Sequence, residues 1–197
     1  VLLENDFLTM EDIERAKTAI QERSSVRPTV GMILGSGLGP LADSVSGADR
    51  FPAGDVPGWP ISTIEGHAGQ LVLGELEDKQ VFVMQGRAHY YEGHSMASIG
   101  LPIRTMQLLG VETLIVTNAA GAVNPEFVPG DLMLITDHIN LIGMAGLTPL
   151  RGPNLDSFGP RFPDMSRAYD GELLAIAREV AAEGEMRIRE GVYICLG

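Results

Sequence analysis

The sequence predicts an α/β fold, and three observations lead there. Short apolar runs of strand type alternate with stretches whose apolar residues recur at helical spacing. The 24 glycines and 12 prolines among the 197 residues gather between those runs as punctuation. Three apolar runs end directly in loops of small or polar residues. In an open α/β sheet, loops leaving the carboxyl ends of strands converge on a ligand crevice.

Taken in order, Thr9-Met-Glu-Asp12 reads as a helix start, with Ile13, Ala16, Ala19 and Ile20 at helical spacing up to about Arg23, and Pro28 closing the segment. Val30–Leu34 is a buried-type strand that ends in Gly35-Ser-Gly-Leu-Gly39, and a brief helix is expected from Leu38 to Val45. Residues 46–69, with Pro52, Pro57 and Pro60, read as an irregular connection in which Trp59 anchors the loop. Leu71–Leu76 and Gln80–Met84 read as paired strands around the turn Glu77-Asp78-Lys79. A helix over Ser95–Leu109 is capped by Gly110, and Pro102 either sits near its start or kinks it. Thr113–Thr117 reads as another buried strand and Leu132–Thr136 as a further one. Residues 138–169 show no period, which suits a functional loop or an assembly surface. From Asp170 a helix runs to about Ala182 on an apolar face of Leu173, Leu174, Ile176, Ala177 and Val180, and 188–196 is strand-like.

Composition excludes several classes of function. A formal net charge of -12 repels polyanions, so neither a general nucleic-acid binder nor a binder of anionic membranes is expected. A small anion needs only a local cluster of donors and remains open. Cys195 is the only cysteine, which leaves no intrachain disulfide and no cysteine-based zinc site and fits a reducing cytoplasm. No stretch reads as a targeting peptide or a clean membrane span. The chain starts at Val1 rather than Met and stops at Gly197 directly after a strand-like run, so a fragment is expected.

The chemistry sits in the three loops. Gly35-Ser36-Gly37-Leu38-Gly39 has few side chains, so its backbone N–H groups can approach an anion. Its glycine spacing matches neither the dinucleotide fingerprint nor a P-loop. In isolation it reads better as a tight strand-to-helix turn. The second loop, Gln85-Gly-Arg-Ala-His-Tyr-Tyr-Glu-Gly-His94, is the most specific. Arg87 offers a planar fork of donors suited to phosphate. If the backbone stays extended, His89 projects on the same side. Glu92 is placed to accept a hydrogen bond from His89 and fix its tautomer, and Tyr91 adds a flat face with a hydroxyl, suited to a sugar. Asn118-Ala119-Ala120-Gly121 is small enough for a ligand to lie against main chain. His67, in Gly66-His-Ala-Gly69, is placed to close over an anion, while the histidines show no metal-ligand spacing, so no metal site is read.

Together with Asp137-His-Ile-Asn-Leu141 and Arg161-Phe-Pro-Asp-Met165, these stretches resemble the purine nucleoside phosphorylases, in the trimeric type that prefers inosine and guanosine. The resemblance runs over about residues 26–197. It implies a central mixed β-sheet flanked by helices, with the C-terminal part missing, in one incomplete domain over residues 1–197. It also implies reversible phosphorolysis, in which orthophosphate displaces a purine from the anomeric carbon of ribose or deoxyribose without metal or organic cofactor. By that resemblance Ser36, Arg87, His89 and the main-chain N–H of Ala119 hold phosphate and His67 covers it. Glu92 orients His89, Tyr91 contacts the ribose and Asn118 lines the crevice. Phe162 reaches a neighbouring subunit of a homotrimer, and Tyr193 lies near the base.

The family pattern continues beyond Gly197 with a Gly-Pro-x-x-Glu-Thr-like segment that grips the purine, and with further Asn, Ser and His contacts. The expectation is therefore an active enzyme from the full reading frame, with little or no turnover by this chain. A methylthioadenosine phosphorylase shares the fold and parts of these loops. A non-catalytic phosphate- or nucleoside-binding module is the competing class, and a dinucleotide-dependent oxidoreductase rests on the first glycine loop alone.

Overall fold

Helix α1 (Met10–Gln21) begins where the sequence signals it, on a reciprocal cap: Asp12 N–H donates to Thr9 Oγ1 at 3.2 Å and Thr9 N–H donates to Asp12 Oδ2 at 3.1 Å. The computed structural model describes residues 7–64 and 69–196. The chain divides into two compact units, one running to Ala119 and taking in Pro149–Phe158, the other formed by Ala120–Thr148 and the residues from Gly159 onward.

The first unit is built on a five-stranded sheet of β1 (Val30–Leu34), β2 (Ser46–Pro52), β3 (Gln70–Leu76), β4 (Lys79–Gln85) and β5 (Thr113–Val116), in the order β2-β3-β4-β1-β5. The sheet is mixed. β2, β3 and β4 pair antiparallel, whereas β1 lies parallel to both β4 and β5. The three strands β4, β1 and β5 thus point the same way, and their carboxyl ends open on one edge.

Alternation along the strands divides the core between the two faces. Ile33, Leu71, Leu73, Phe82 and Met84 face α1 and helix α2 (Met96–Leu109), meeting Ile13, Ile20, Leu101 and Met106. Trp59 is buried in the same core with its ring stacked at 6.1 Å on Phe82, a loop anchor as expected. Met32, Leu34, Val72, Val81 and Val83 occupy the opposite face under Ala42 and Val45, from the 3-10 helix over Gly39–Ser44 and its end. Pro102 sits inside α2, in its second turn, and its missing N–H removes the bond to the Ser98 carbonyl. The hairpin between β3 and β4 turns on two residues, Glu77 and Asp78, both at positive φ.

The second unit pairs β6 (Leu132–Asn140) with β7 (Ile188–Cys195) in parallel, with a register shift between Ile135 and Asp137. Asn140 caps the short helix α3 (Leu141–Met144), and Asp170 caps α4 (Gly171–Glu183) by accepting from the N–H groups of Glu172 and Leu173. Arg189 holds Asp131 at 2.9 Å and the Glu126 carbonyl at 2.7 Å, and Arg178 makes a two-pronged pair with Glu190.

Three expectations need correction. Residues 46–52 are a strand, not an irregular connection. β2 is an edge strand with Phe51 as its one buried side chain, so it carries no alternating apolar signal. The strand read as Leu132–Thr136 continues to Asn140, because Asp137 and Asn140 occupy exposed positions of β6 and do not break it. β5 forms where expected but is not buried: it closes one edge of the sheet, and Val116 is 52% exposed. On α4 the apolar face forms as expected, with Ala181 buried but Leu173, Ile176 and Val180 exposed, Ile176 at 53%.

Candidate functional site

The pairing of β1 fixes which loops meet. Leu34 stands beside Gln85 of β4, and Ile33 beside Val116 of β5, so the chain leaves all three strands at one level. Gly35 lies where they converge. Its N–H donates to Thr117 Oγ1 at 2.8 Å, and that hydroxyl donates to the Ile33 carbonyl at 3.1 Å. A Cβ on Gly35 would lie 2.6 Å from the Thr117 carbonyl oxygen, 3.0 Å from Asn118 Cα and 3.1 Å from Arg87 Nη1. Glycine is required here by close approach of backbone to backbone.

Beyond Gly35 the chain makes a tight turn. Leu38 N–H donates to the Gly35 carbonyl at 3.1 Å, with Ser36 and Gly37 at its corners and Gly37 at φ +87°. Ser36 is exposed on this turn. The 3-10 helix that follows carries little aligned dipole, so the N–H groups of the turn are what the loop offers an anion. Gln85 ties the turn back to β4 by donating from Nε2 to the Gly39 carbonyl at 3.0 Å.

Arg87 is half-buried and donates from Nη1 to the Thr117 carbonyl at 2.8 Å, which brings the second loop against the first and third. β4 itself ends at Gln85, and Gly86 turns the chain at φ +95°, so strand alternation does not carry through to His89. A carboxylate places His89 instead. Glu92 Oε1 accepts from His89 N–H at 2.7 Å and from His89 Nδ1 at 2.8 Å. With the proton held on Nδ1, Nε2 is the nitrogen that takes or gives a proton. The Tyr91 ring stacks on the imidazole, 4.8 Å between centroids and 13° from parallel, and is itself 69% exposed.

Glu92 is the most perturbed group of the site. Its side chain is 2% exposed. Burial pushes its carboxyl up, but the Thr63 N–H, the His89 imidazole, the Thr63 hydroxyl and the His89 N–H outweigh burial and hold it down to about 2. It is therefore an anion at any physiological pH.

In the third loop, Asn118 donates from Nδ2 to the Ala119 carbonyl at 3.3 Å, and Ala119 is exposed. The structure thus brings the loops of Ser36, Arg87 and Asn118-Ala119 to one sheet edge, with the His89-Tyr91-Glu92 group on the same loop as Arg87. His67 lies outside the described residues. Phe162 and Tyr193 belong to the second unit, where Phe162 is 87% exposed and Tyr193 stands beside His138 in the β6–β7 register.

Sequence reasoning passed over Thr117, Gln85, Ser62 and Thr63. Thr117 and Gln85 are the first polar residues after apolar runs, which is the signal that marks a strand's functional end. Ser62 and Thr63 gave none, because their partner Glu92 is about thirty residues away. Among the described residues no group of three His, Cys, Asp or Glu side chains is arranged to hold a metal ion, and no helix is long and apolar enough to cross a membrane.

Residues 29–197 match the model of the phosphorylase superfamily. The chain is 54% identical over 182 residues to purine nucleoside phosphorylase 1 of Geobacillus stearothermophilus, a match covering 92% of this chain and 65% of that protein. It is 47% identical over 194 residues to the purine nucleoside phosphorylase of Rattus norvegicus, covering 98% of this chain and 67% of the relative. The fold is similar to isoform 2 of the Schistosoma mansoni purine nucleoside phosphorylase, solved with cytosine and ribose-1-phosphate, at a TM-score of 0.91 and 42% identity over 98% of this chain and 69% of that one. The chain therefore spans about two thirds of the length of these relatives.

Proposed function

Because the chain belongs to the phosphorylase superfamily, among its purine nucleoside phosphorylases, we propose that its protein cleaves purine nucleosides with phosphate. An oxygen of orthophosphate bonds to the anomeric carbon of ribose or deoxyribose as the glycosidic bond to the purine breaks. The products are the free base and (deoxy)ribose 1-phosphate, and the departing bond's electron pair and a proton pass to the purine ring. The reaction is reversible and serves purine salvage. Phosphate is a substrate, and no cofactor is called for.

The observation that carries this reading is the meeting of the β1, β4 and β5 loops at Gly35, Arg87 and Thr117. Phosphate is a modest nucleophile and the sugar becomes cation-like, so rate comes from holding the dianion against the anomeric carbon. In this role Ser36, the Arg87 fork, His89 and the Ala119 N–H grip phosphate, and His67 covers it. His89 and Glu92 form the pair nearest the chemistry, with Glu92 holding the ring that faces phosphate. Tyr91 and Asn118 take the nucleoside, Tyr193 lies by the base, and Phe162 reaches the neighbouring sugar site of a homotrimer. We assign the whole chain to one incomplete phosphorylase domain of a cytoplasmic enzyme that engages neither nucleic acid nor membrane.

The test pairs two measurements. Protein expressed from the whole reading frame is assayed for phosphate-dependent release of hypoxanthine from inosine. The 197-residue chain is titrated with inorganic phosphate by calorimetry, beside Arg87→Ala. Turnover that needs phosphate, with binding lost in the variant, supports the proposal. Inosine left intact in phosphate rejects it, and phosphate binding without turnover would favour a binding module.

A further inference from the structure

Glu92 is asked to orient His89, yet only one of its two oxygens does so. Oε1 takes the His89 N–H and Nδ1, as described above. Oε2 faces the other way and accepts from the Thr63 N–H and from Thr63 Oγ1 at 2.8 Å, while Ser62 Oγ lies between the two oxygens, 3.1 Å from Oε2 and 3.3 Å from Oε1. The segment holding Oε2 is itself fastened. Ile64 N–H donates to Ser62 Oγ at 3.2 Å, and His94 donates from Nε2 to the Ile61 carbonyl at 2.9 Å.

A carboxylate is planar, and its terminal torsion is soft and roughly two-fold. Two donors on Oε1 alone leave the group free to turn about that torsion, carrying the imidazole with it. The two Thr63 donors on Oε2, with Ser62 beside them, remove that freedom. The imidazole, pressed on one face by Tyr91, then has one orientation and one tautomer. No such requirement comes from the fold, since Thr63 is exposed and contributes nothing to the core.

We propose that Thr63, seconded by Ser62, is a positioning residue for His89: it locks the Glu92 carboxylate from the side opposite the imidazole and so fixes the proton on His89 Nδ1. The consequence for phosphate rests on the reading of His89 given under the proposed function. The lock itself does not. Thr63 never touches substrate, and its effect on the site is transmitted entirely through Glu92.

The experiment records imidazole 15N spectra of the 197-residue chain and titrates it with inorganic phosphate, for the native sequence, Thr63→Val, Thr63→Ser and Ser62→Ala. Thermal melts confirm that each variant is folded. Native His89 is expected to show a protonated Nδ1 and an unprotonated Nε2 in its neutral form. Thr63→Val is expected to mix the two tautomers and weaken phosphate binding about fivefold, the scale of one lost hydrogen bond to a charged group attenuated through a second side chain. Thr63→Ser restores both, and Ser62→Ala gives a smaller shift of the same sign. Unchanged His89 nitrogen shifts in folded Thr63→Val overturn the proposal whatever phosphate does. If the shifts move but the native chain binds no phosphate, the lock stands and the phosphorylase reading of His89 falls.

Discussion

Arg87 and Thr117 are joined across the width of β1: the guanidinium of Arg87, just past β4, donates at 2.8 Å to the carbonyl of Thr117, the first residue after β5, and β1 runs between those two strands. Gly35, the residue that leaves β1, lies beneath the bond with no side chain to obstruct it. One hydrogen bond thus closes the three loops over each other, and the sequence must supply an arginine, a glycine and an extended backbone carbonyl at three separate places to make it.

Gly35→Ala tests that closure. The added methyl meets backbone atoms at 2.6 and 3.0 Å, and these cannot swing aside as a side chain end would. The loops must part, at a cost of about 1–3 kcal/mol by the usual scale of overpacking. Denaturant unfolding should show this as a lower midpoint, and calorimetry should show phosphate binding weakened at least about tenfold, since the donors are displaced together.

Arg87→Lys should fail to substitute. A guanidinium can hold the Thr117 carbonyl with one nitrogen while another faces an anion, whereas an ammonium is a single point of charge on a flexible stem. The expected outcome is phosphate affinity reduced about tenfold or more, with a thermal midpoint within a few degrees of the native chain. Equal affinity in the lysine variant would remove the fork from the argument.

The order of elements was legible because α1, α2, β1, β3 and β4 bury two-sided or helical patterns that the sequence displays openly. β2 was not, since one buried Phe51 in seven residues leaves no period to read. The expectation of a buried β5 fails for a different reason. Apolar residues declare what a segment suits, not whether a neighbour is present to cover it, and Val116 is more than half exposed. At the site, Arg87, His89, Tyr91 and Glu92 were visible because they crowd into six residues. Thr63 and Thr117 act at separations of 29 and 82 residues from their partners Glu92 and Gly35, and only the fold brings such pairs together.

Acid should reveal Glu92. Its carboxyl is held at about 2 against an ordinary 4.5, so the folded state favours the anion. The stabilisation is complete above the ordinary value and is lost as pH falls from about 4.5 toward about 2. Glu92→Gln has no proton to take up in that window. Its stability should therefore fall less steeply with acid there than that of the native chain, as read from thermal melts at a series of pH values. Parallel curves would show that the carboxylate is not held as the hydrogen bonds indicate.

Thr117→Val isolates a single buried donor. The Thr117 hydroxyl receives the Gly35 N–H and passes its own proton to the Ile33 carbonyl. That carbonyl keeps a second partner in the Thr117 N–H at 3.0 Å, so valine does not orphan it. The Gly35 N–H loses its acceptor, and Gly35 is buried where water does not replace it. One buried unsatisfied donor costs about 1–3 kcal/mol, while the added methyl of valine is close to the hydroxyl in size. The unfolding free energy should drop by that amount, read as a lower denaturation midpoint at an unchanged slope, and Thr117→Ser should recover most of it. Combined with Gly35→Ala, the loss should be less than the sum, because both changes loosen the same junction of β1 and β5.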